Sequence, residues 1–214
     1  MKIDYNPSKD FFDTREVRRF HYEYIEPLGW PRKAVELAPE AIVIRANRSG
    51  LLSLSARLVD VGLGRLNDLI LEEVERPDRG IWSGDLEPGS PSIQFKRVNS
   101  VPGALDGFHY DSPNFVPGIF PPIDKRASFE LRVEEDETGG FHVTLAANTD
   151  GFVALAKHSI YLAQADVPAG TRILYNKTQG LKAGSRLLVL ENAAFPPNVP
   201  WAQPPNPIGK RQSQ

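Results

Sequence analysis

The sequence predicts an α+β fold of two tandem copies of a strand-strand-helix-strand-strand unit with antiparallel sheets, the copies related by a pseudo-twofold axis. Three observations predict it. The stretch ANRSGLLSLSAR, from Ala46, returns in the second half as ANTDGFVALAKH, from Ala147. LEPGS at 86–90 returns as LKAGS at 181–185, each ahead of an apolar run, SIQFKRV and RLLVLEN. A β-like run precedes each Asn, AIVIR at 41–45 and HVTLA at 142–146. Two motifs recurring in the same order mark a duplicated supersecondary unit.

Each element has a local reason. β-branched and alternating residues before Asn47 and Asn148 favour strands. Asn, with Ser49 or Asp150 two residues on, supplies side-chain oxygens for the free N–H groups of a helix start, so helices begin near Gly50 and Gly151. Phe152, Leu155, Ala156, Ser159, Ile160 and Ala163 trace one helical face; Leu51, Leu54, Ser55, Leu58 and Val59 trace its counterpart. GLGR at 62–65 ends the first helix, with glycine as a C-cap. DVPAG at 166–170 breaks the second, and TRILY and RLLVLEN follow as a strand pair. In the first copy the equivalent strand is LILEEVE at 69–75, with a helix as the alternative. FELRV and FHVTLAA flank EEDETGG, whose Gly139-Gly140 suits a hairpin loop. The leading strand of the first copy is AVEL at 34–37 or FHYEYI from Phe20. In this reading each copy closes its own helix over its own sheet, with a continuous sheet shared by the two copies as the alternative.

The layout is then a first unit over 1–100 with an N-terminal extension, a Pro/Gly/aromatic strap over 101–126, a second unit over 127–194 and a Pro-rich tail over 195–214. The strap is long for a connection, which suggests an ordered segment packed by its aromatics, or a linker. The tail has polyproline II character.

Composition narrows the function. The 214 residues are 41% hydrophobic and 24% charged, an ordinary globular balance. A formal net charge of -2 gives no basic footprint for nucleic acid. The chain has no cysteine, which removes disulfides, thiolate metal sites and a cysteine nucleophile. No stretch approaches the ~20 apolar residues of a membrane span, and the N-terminus has no apolar signal region. A cytoplasmic protein is expected.

Four histidines are candidates for chemistry: His21, His109, His142 and His158. His142 in a strand and His158 on a helix flank read as packing or surface residues. FHYD at 108–111 sets His109 beside Asp111 in a loop, the most enzyme-like cluster, although a plain loop surface is the better explanation. Metal, phosphate-loop and dinucleotide motifs are missing, so no cofactor is expected.

What remains suits a protein partner. ERPDRGIWSGD presents Trp82 with Asp78, Arg79 and Asp85 around it, an aromatic and an Arg in a polar rim. Trp82 folding back over the sheet is the alternative, and Trp30 and Trp201 share the ambiguity. The acidic run Glu134–Glu137 beside a Gly-Gly turn reads as a solvated hairpin tip rather than a metal site. Its Glu135 and Asp136 join the Trp82 group as candidate partner-binding residues.

The motif ANxxG with two apolar residues and [SA]L[SA], followed by a strand pair and LxxGS, resembles the small α+β immunity proteins of bacterial polymorphic toxin systems. The likeness is good over about residues 129–192 and weaker over about 41–98. It implies a non-enzymatic cytoplasmic protein that binds and occludes a cognate toxin domain, and it transfers no binding residue. The alternatives are a scaffold or subunit of a larger assembly, and a hydrolase using His109 and Asp111.

Overall fold

The repeated Ala-Asn-x-x-Gly stretches start two helices, and the computed structural model describes their surroundings over residues 1–5, 15–73, 85–98, 108–111, 116, 118–137 and 139–195. The first half forms β1 (Lys2–Tyr5), α1 (Arg15–Phe20), the hairpin β2 (Lys33–Leu37) and β3 (Ala41–Ala46), and α2 (Arg48–Gly62). It continues with β4 (Asp68–Glu73), the short β5 (Asp85–Leu86) and β6 (Ser92–Arg97). The strap contributes β7 (Phe108–Asp111). The second half adds β8 (Phe129–Glu135), β9 (Phe141–Ala147), α3 (Thr149–Leu162), β10 (Arg172–Tyr175) and β11 (Leu187–Asn192). The fold is mixed α+β.

Alternation decides the strands. β3 buries Ile42, Ile44 and Ala46, and β9 buries Val143, Leu145 and Ala147, the period of two that a half-buried strand requires. AVEL belongs to β2. FHYEYI is helical instead: Phe20 ends α1 and His21–Ile25 continues as a π-helical turn. LILEEVE contributes β4 rather than a helix. FHYD is a strand and not a loop, because Phe108 and Tyr110 alternate inward when β7 pairs antiparallel with β1.

The expectation that each half closes its own antiparallel sheet is overturned by the pairing. One sheet runs β10-β11-β3-β2 and the other β5-β4-β6-β9-β8. β11 lies parallel to β3 and β6 parallel to β9, so each large sheet joins the hairpin of one half to the closing strand pair of the other. The helices explain the exchange. Arg48 Nε at the start of α2 donates to the Ala163 carbonyl at the end of α3, 2.8 Å away, and Thr149 Oγ1 at the start of α3 donates to the Gly62 carbonyl, 3.0 Å away. The helices therefore lie antiparallel. A chain leaving α2 emerges beside the start of α3, which directly follows β9, and so β6 meets the open edge of β9. A chain leaving α3 meets β3 by the same rule.

Both helices are buried on nearly every side, beyond the single apolar face the periodicity predicts: Leu52, Ser53, Ala56 and Val61 of α2 are buried with the predicted set. A helix enclosed in this way is central to the core rather than laid on its surface. Small residues make room for neighbours, as at Gly62, where an added Cβ would stand 3.0 Å from Phe152 Cβ.

The recurring motifs make matching bonds. Asn47 Oδ1 accepts from the N–H of Gly50 (2.7 Å) and of Arg32 (3.0 Å), while its Nδ2 donates to the Trp30 carbonyl (2.9 Å). Asn148 Oδ1 accepts from Gly151 (2.9 Å) and Ser128 (3.1 Å), and its Nδ2 donates to the Arg126 carbonyl (2.7 Å). Each Asn thus caps its helix and clamps the chain entering its hairpin. Ser90 Oγ accepts from the N–H of Val35 at 3.3 Å, and Ser185 Oγ from that of Leu131 at 3.2 Å. Gly89 and Gly184 take φ of 80° and 87°, the left-handed conformation that makes glycine the natural residue of the LxxGS turn.

Candidate functional site

The inward row of the five-stranded sheet reads Leu71, Ile93, Val143 and Val133 across β4, β6, β9 and β8. Two residues further towards one end, the same strands place Glu73, Pro91, Phe141 and Glu135. The buried apolar row stops there, and two of these four positions, Glu73 and Glu135, carry acids. β2 of the other sheet runs alongside, and Val35, Glu36 and Leu37 with Glu73, Pro91 and Phe141 help line a cleft of about 470 Å³. Phe141 is 46% exposed although it shares the parity of buried Val143 and Leu145, because it overhangs the end of the sheet.

Acidic groups surround this ring. Glu36, Glu72, Glu73 and the whole run Glu134–Glu137 are exposed. Glu73 Oε2 accepts from the Gly89 N–H at 2.8 Å, which fixes its carboxylate at the cleft. Asp136 Oδ1 accepts from Gly140 N–H at 2.9 Å, shaping the hairpin that presents Glu135. Arg132 pairs with Glu130 at 2.5 Å, and Arg45 reaches Glu36 at 3.9 Å. Like charges concentrated at a cleft create a potential that attracts a basic partner and repels an acidic one.

Of the residues predicted from sequence, Glu135 ends β8 and Asp136 opens its turn. Asp78, Arg79 and Trp82 lie outside the described residues, as does the side chain of Asp85, whose backbone starts β5. The chain on either side of the Trp82 segment is anchored at this corner, since Glu73 pairs with Leu86 and Glu72 with Asp85. Phe141, Glu36 and Glu73 were not singled out from sequence.

His109 and Asp111 do not form a pair. β7 alternation puts both on its exposed edge, where the register sets His109 opposite Asp4 and Asp111 opposite Lys2. His109 Nδ1 accordingly bonds Asp4 Oδ1, and Lys2 reaches Asp111 at 3.4 Å. His142 Nδ1 lies 2.6 Å from Ser92 Oγ across the β6–β9 pair. Among the described residues no group of three or more His, Asp or Glu side chains is placed to hold a metal ion, and no helix is long and apolar enough to cross a membrane.

Two of the buried titratable groups, His158 and Asp60, have strongly shifted pKa values. His158 has Nδ1 2.5 Å from the Tyr175 hydroxyl and Nε2 2.6 Å from the Pro121 carbonyl. Burial holds its pKa down at about 4, against an ordinary 6.5, so Nε2 donates to Pro121 and Nδ1 accepts from Tyr175. Asp60 on α2 is fully buried and accepts from the Tyr5 hydroxyl at 3.4 Å. Burial raises its pKa from 3.8 to about 7, outweighing the charges of Arg57 and Arg65.

These shifts give opposite pH signatures. Below pH 6.5 the unfolded chain binds a proton at His158 that the folded one refuses, so this contribution is present above 6.5 and lost as pH falls to about 4. Asp60 is protonated in the folded chain and ionised in the unfolded one between 3.8 and about 7, so its contribution is lost as pH rises through that window. Denaturant titrations at several pH values check both. His158→Gln should lose stability by on the order of 3 kcal/mol less at pH 4 than at pH 7. Asp60→Asn should gain on wild type as pH rises from 4 to 7.

The fold and this corner define an α+β protein whose two halves build one acidic, aromatic-centred cleft. No family model matches the chain, and no curated protein or solved structure matches it.

Proposed function

We propose that the chain is an immunity protein: a non-enzymatic cytoplasmic inhibitor that neutralises a bacterial toxin domain by covering it, with the acidic corner as its contact surface. The observation that carries this reading is the convergence of acids from both halves, Glu36 and Glu73 with Glu135 and Asp136, around the exposed ring of Phe141. An aromatic anchor inside a charged rim is the composition of an interface hot spot. The rim charge selects a basic toxin domain, such as a nuclease, and accelerates its capture.

We read the two halves as copies of one duplicated unit related by a pseudo-twofold axis. The matching bonds of Asn47 and Asn148, and of Ser90 and Ser185, support this reading. In the exchanged arrangement the first half supplies most of the cleft and the second supplies Gly140 and Phe141.

Co-expression with a toxin domain encoded beside this gene tests the proposal, and the absence of any such domain would count against it. Wild type should restore growth, and a Glu135→Lys, Asp136→Lys, Phe141→Ala variant of unchanged thermal stability should fail to. Cells killed in the presence of wild type, or protected equally by the variant, would count against it.

A further inference from the structure

A second concavity lies on the other side of α3, between the helix, β7 and the strap, with a volume of about 450 Å³. Its walls are held by one face of α3. His158 Nε2 donates to the Pro121 carbonyl at 2.6 Å, Tyr161 OH donates to the Val116 carbonyl at 2.9 Å, and Gln164 Nε2, just past the helix, donates to Tyr110 OH at 3.2 Å. These positions recur every three residues and so fall along one side of the helix. They tie Val116, Pro121 and β7 to α3.

The lining between these ties is apolar and in part unusually open. Val116 is 45% and Ile119 65% exposed, and the Phe120 ring meets Tyr161 edge-on with centroids 5.4 Å apart. Lys157 projects from the same side of α3, four residues before Tyr161, and lines the concavity half-buried. It makes no hydrogen bond or ion pair among the described residues. The nearby carboxylates hydrogen-bond or pair with other groups: Asp124, which also feels the Lys157 charge, with Arg126 at 3.0 Å, Asp111 on the concavity's own wall with Lys2 at 3.4 Å, and Asp4 with His109. The walls therefore present one ammonium with no hydrogen-bond partner among the described residues, beside aromatic and branched aliphatic surface.

We infer that this concavity is a binding site for a small organic anion with a planar apolar body, an aromatic carboxylate being the type ligand. Lys157 receives the anionic group, and Phe120, Val116 and Ile119 cover the ring. The volume falls in the range of small-molecule sites, which combine mostly apolar walls with a few placed polar groups. The site is separate from the acidic corner, and the inference stands independently of the function proposed there.

The test is competition on the full chain with anilinonaphthalene sulfonate as the fluorescent probe. Saturable probe binding is expected, displaced by naphthoate at a concentration about tenfold lower than by its uncharged amide, the difference one charge-assisted hydrogen bond supplies. Lys157→Gln should erase that discrimination, and Lys157→Arg, which keeps the charge, should retain it. No saturable binding, equal displacement by acid and amide, or discrimination that survives Lys157→Gln would each overturn the assignment. Circular dichroism and thermal unfolding of both variants confirm that the comparison is made on folded protein.

Discussion

Asn148→Ala is expected to lower the unfolding free energy by about 3 kcal/mol, and Asn47→Ala by a similar amount. A lost cap alone is worth up to about 2 kcal/mol. Here the same side chain also takes the N–H of Ser128 or Arg32 and feeds the carbonyl of Arg126 or Trp30. Leaving these half-buried groups without partners adds about 1–3 kcal/mol. Asn148→Asp separates the terms, because the carboxylate keeps both accepted bonds and loses only the donated one, and its loss should be about 1 kcal/mol. Denaturant unfolding with unchanged slope is the measurement. A loss below about 1 kcal/mol for Asn148→Ala would mean that the clamp is incidental to the fold.

Gly50→Ala is expected to destabilise by about 3 kcal/mol, at a helical position where the same change ordinarily stabilises by about 1 kcal/mol. The sign is the test. A Cβ at Gly50 would lie 2.3 Å from the Arg32 carbonyl oxygen, which is backbone. That carbonyl accepts from the Asn47 N–H at 3.1 Å, and the Arg32 guanidinium is locked to Glu87 by bonds of 2.6 and 2.7 Å. There is no cheap direction in which Arg32 can yield. At Gly151 the nearest atom, the Ser128 carbonyl oxygen, would be 3.0 Å from the new Cβ. Gly151→Ala should therefore cost roughly half as much, since a shift of a few tenths of an ångström relieves it. Equal effects, or stabilisation by Gly50→Ala, would contradict the close approach that accounts for the glycine in ANxxG.

Much of the local structure was legible in the chain because its causes are local. The Asn caps, the alternation of AIVIR and HVTLA and the glycine turns of LxxGS each act within a few residues. The sheets were not legible, because β6 finds β9 and β11 finds β3 through the antiparallel seating of two helices far apart in sequence. Nothing within either half signals that its strands prefer the edge offered by the other. FHYD does not read as a strand from sequence, since its partner, Lys2–Tyr5, lies at the opposite end of the first half.

The candidate site divides in the same way. Glu135 and Asp136 were found from an acidic run beside two glycines. Phe141 was missed, although the sequence carried a signal: a Phe at the start of a strand, on the parity of Val143 and Leu145, must either join the core or overhang it. Only the length of β9 relative to its neighbours decides which. Glu36 and Glu73 were missed because their place depends on how the ends of two sheets meet.

The most direct measurement of the central claim is calorimetric titration of the toxin domain that the proposal requires into wild type and into the Glu135→Lys, Asp136→Lys, Phe141→Ala protein. If the acidic corner is the contact surface, wild type binds with an affinity that falls as salt rises, and the variant binds at least about a hundredfold more weakly. Equal affinities with equal salt dependence would place the contact elsewhere on the molecule and contradict the assignment.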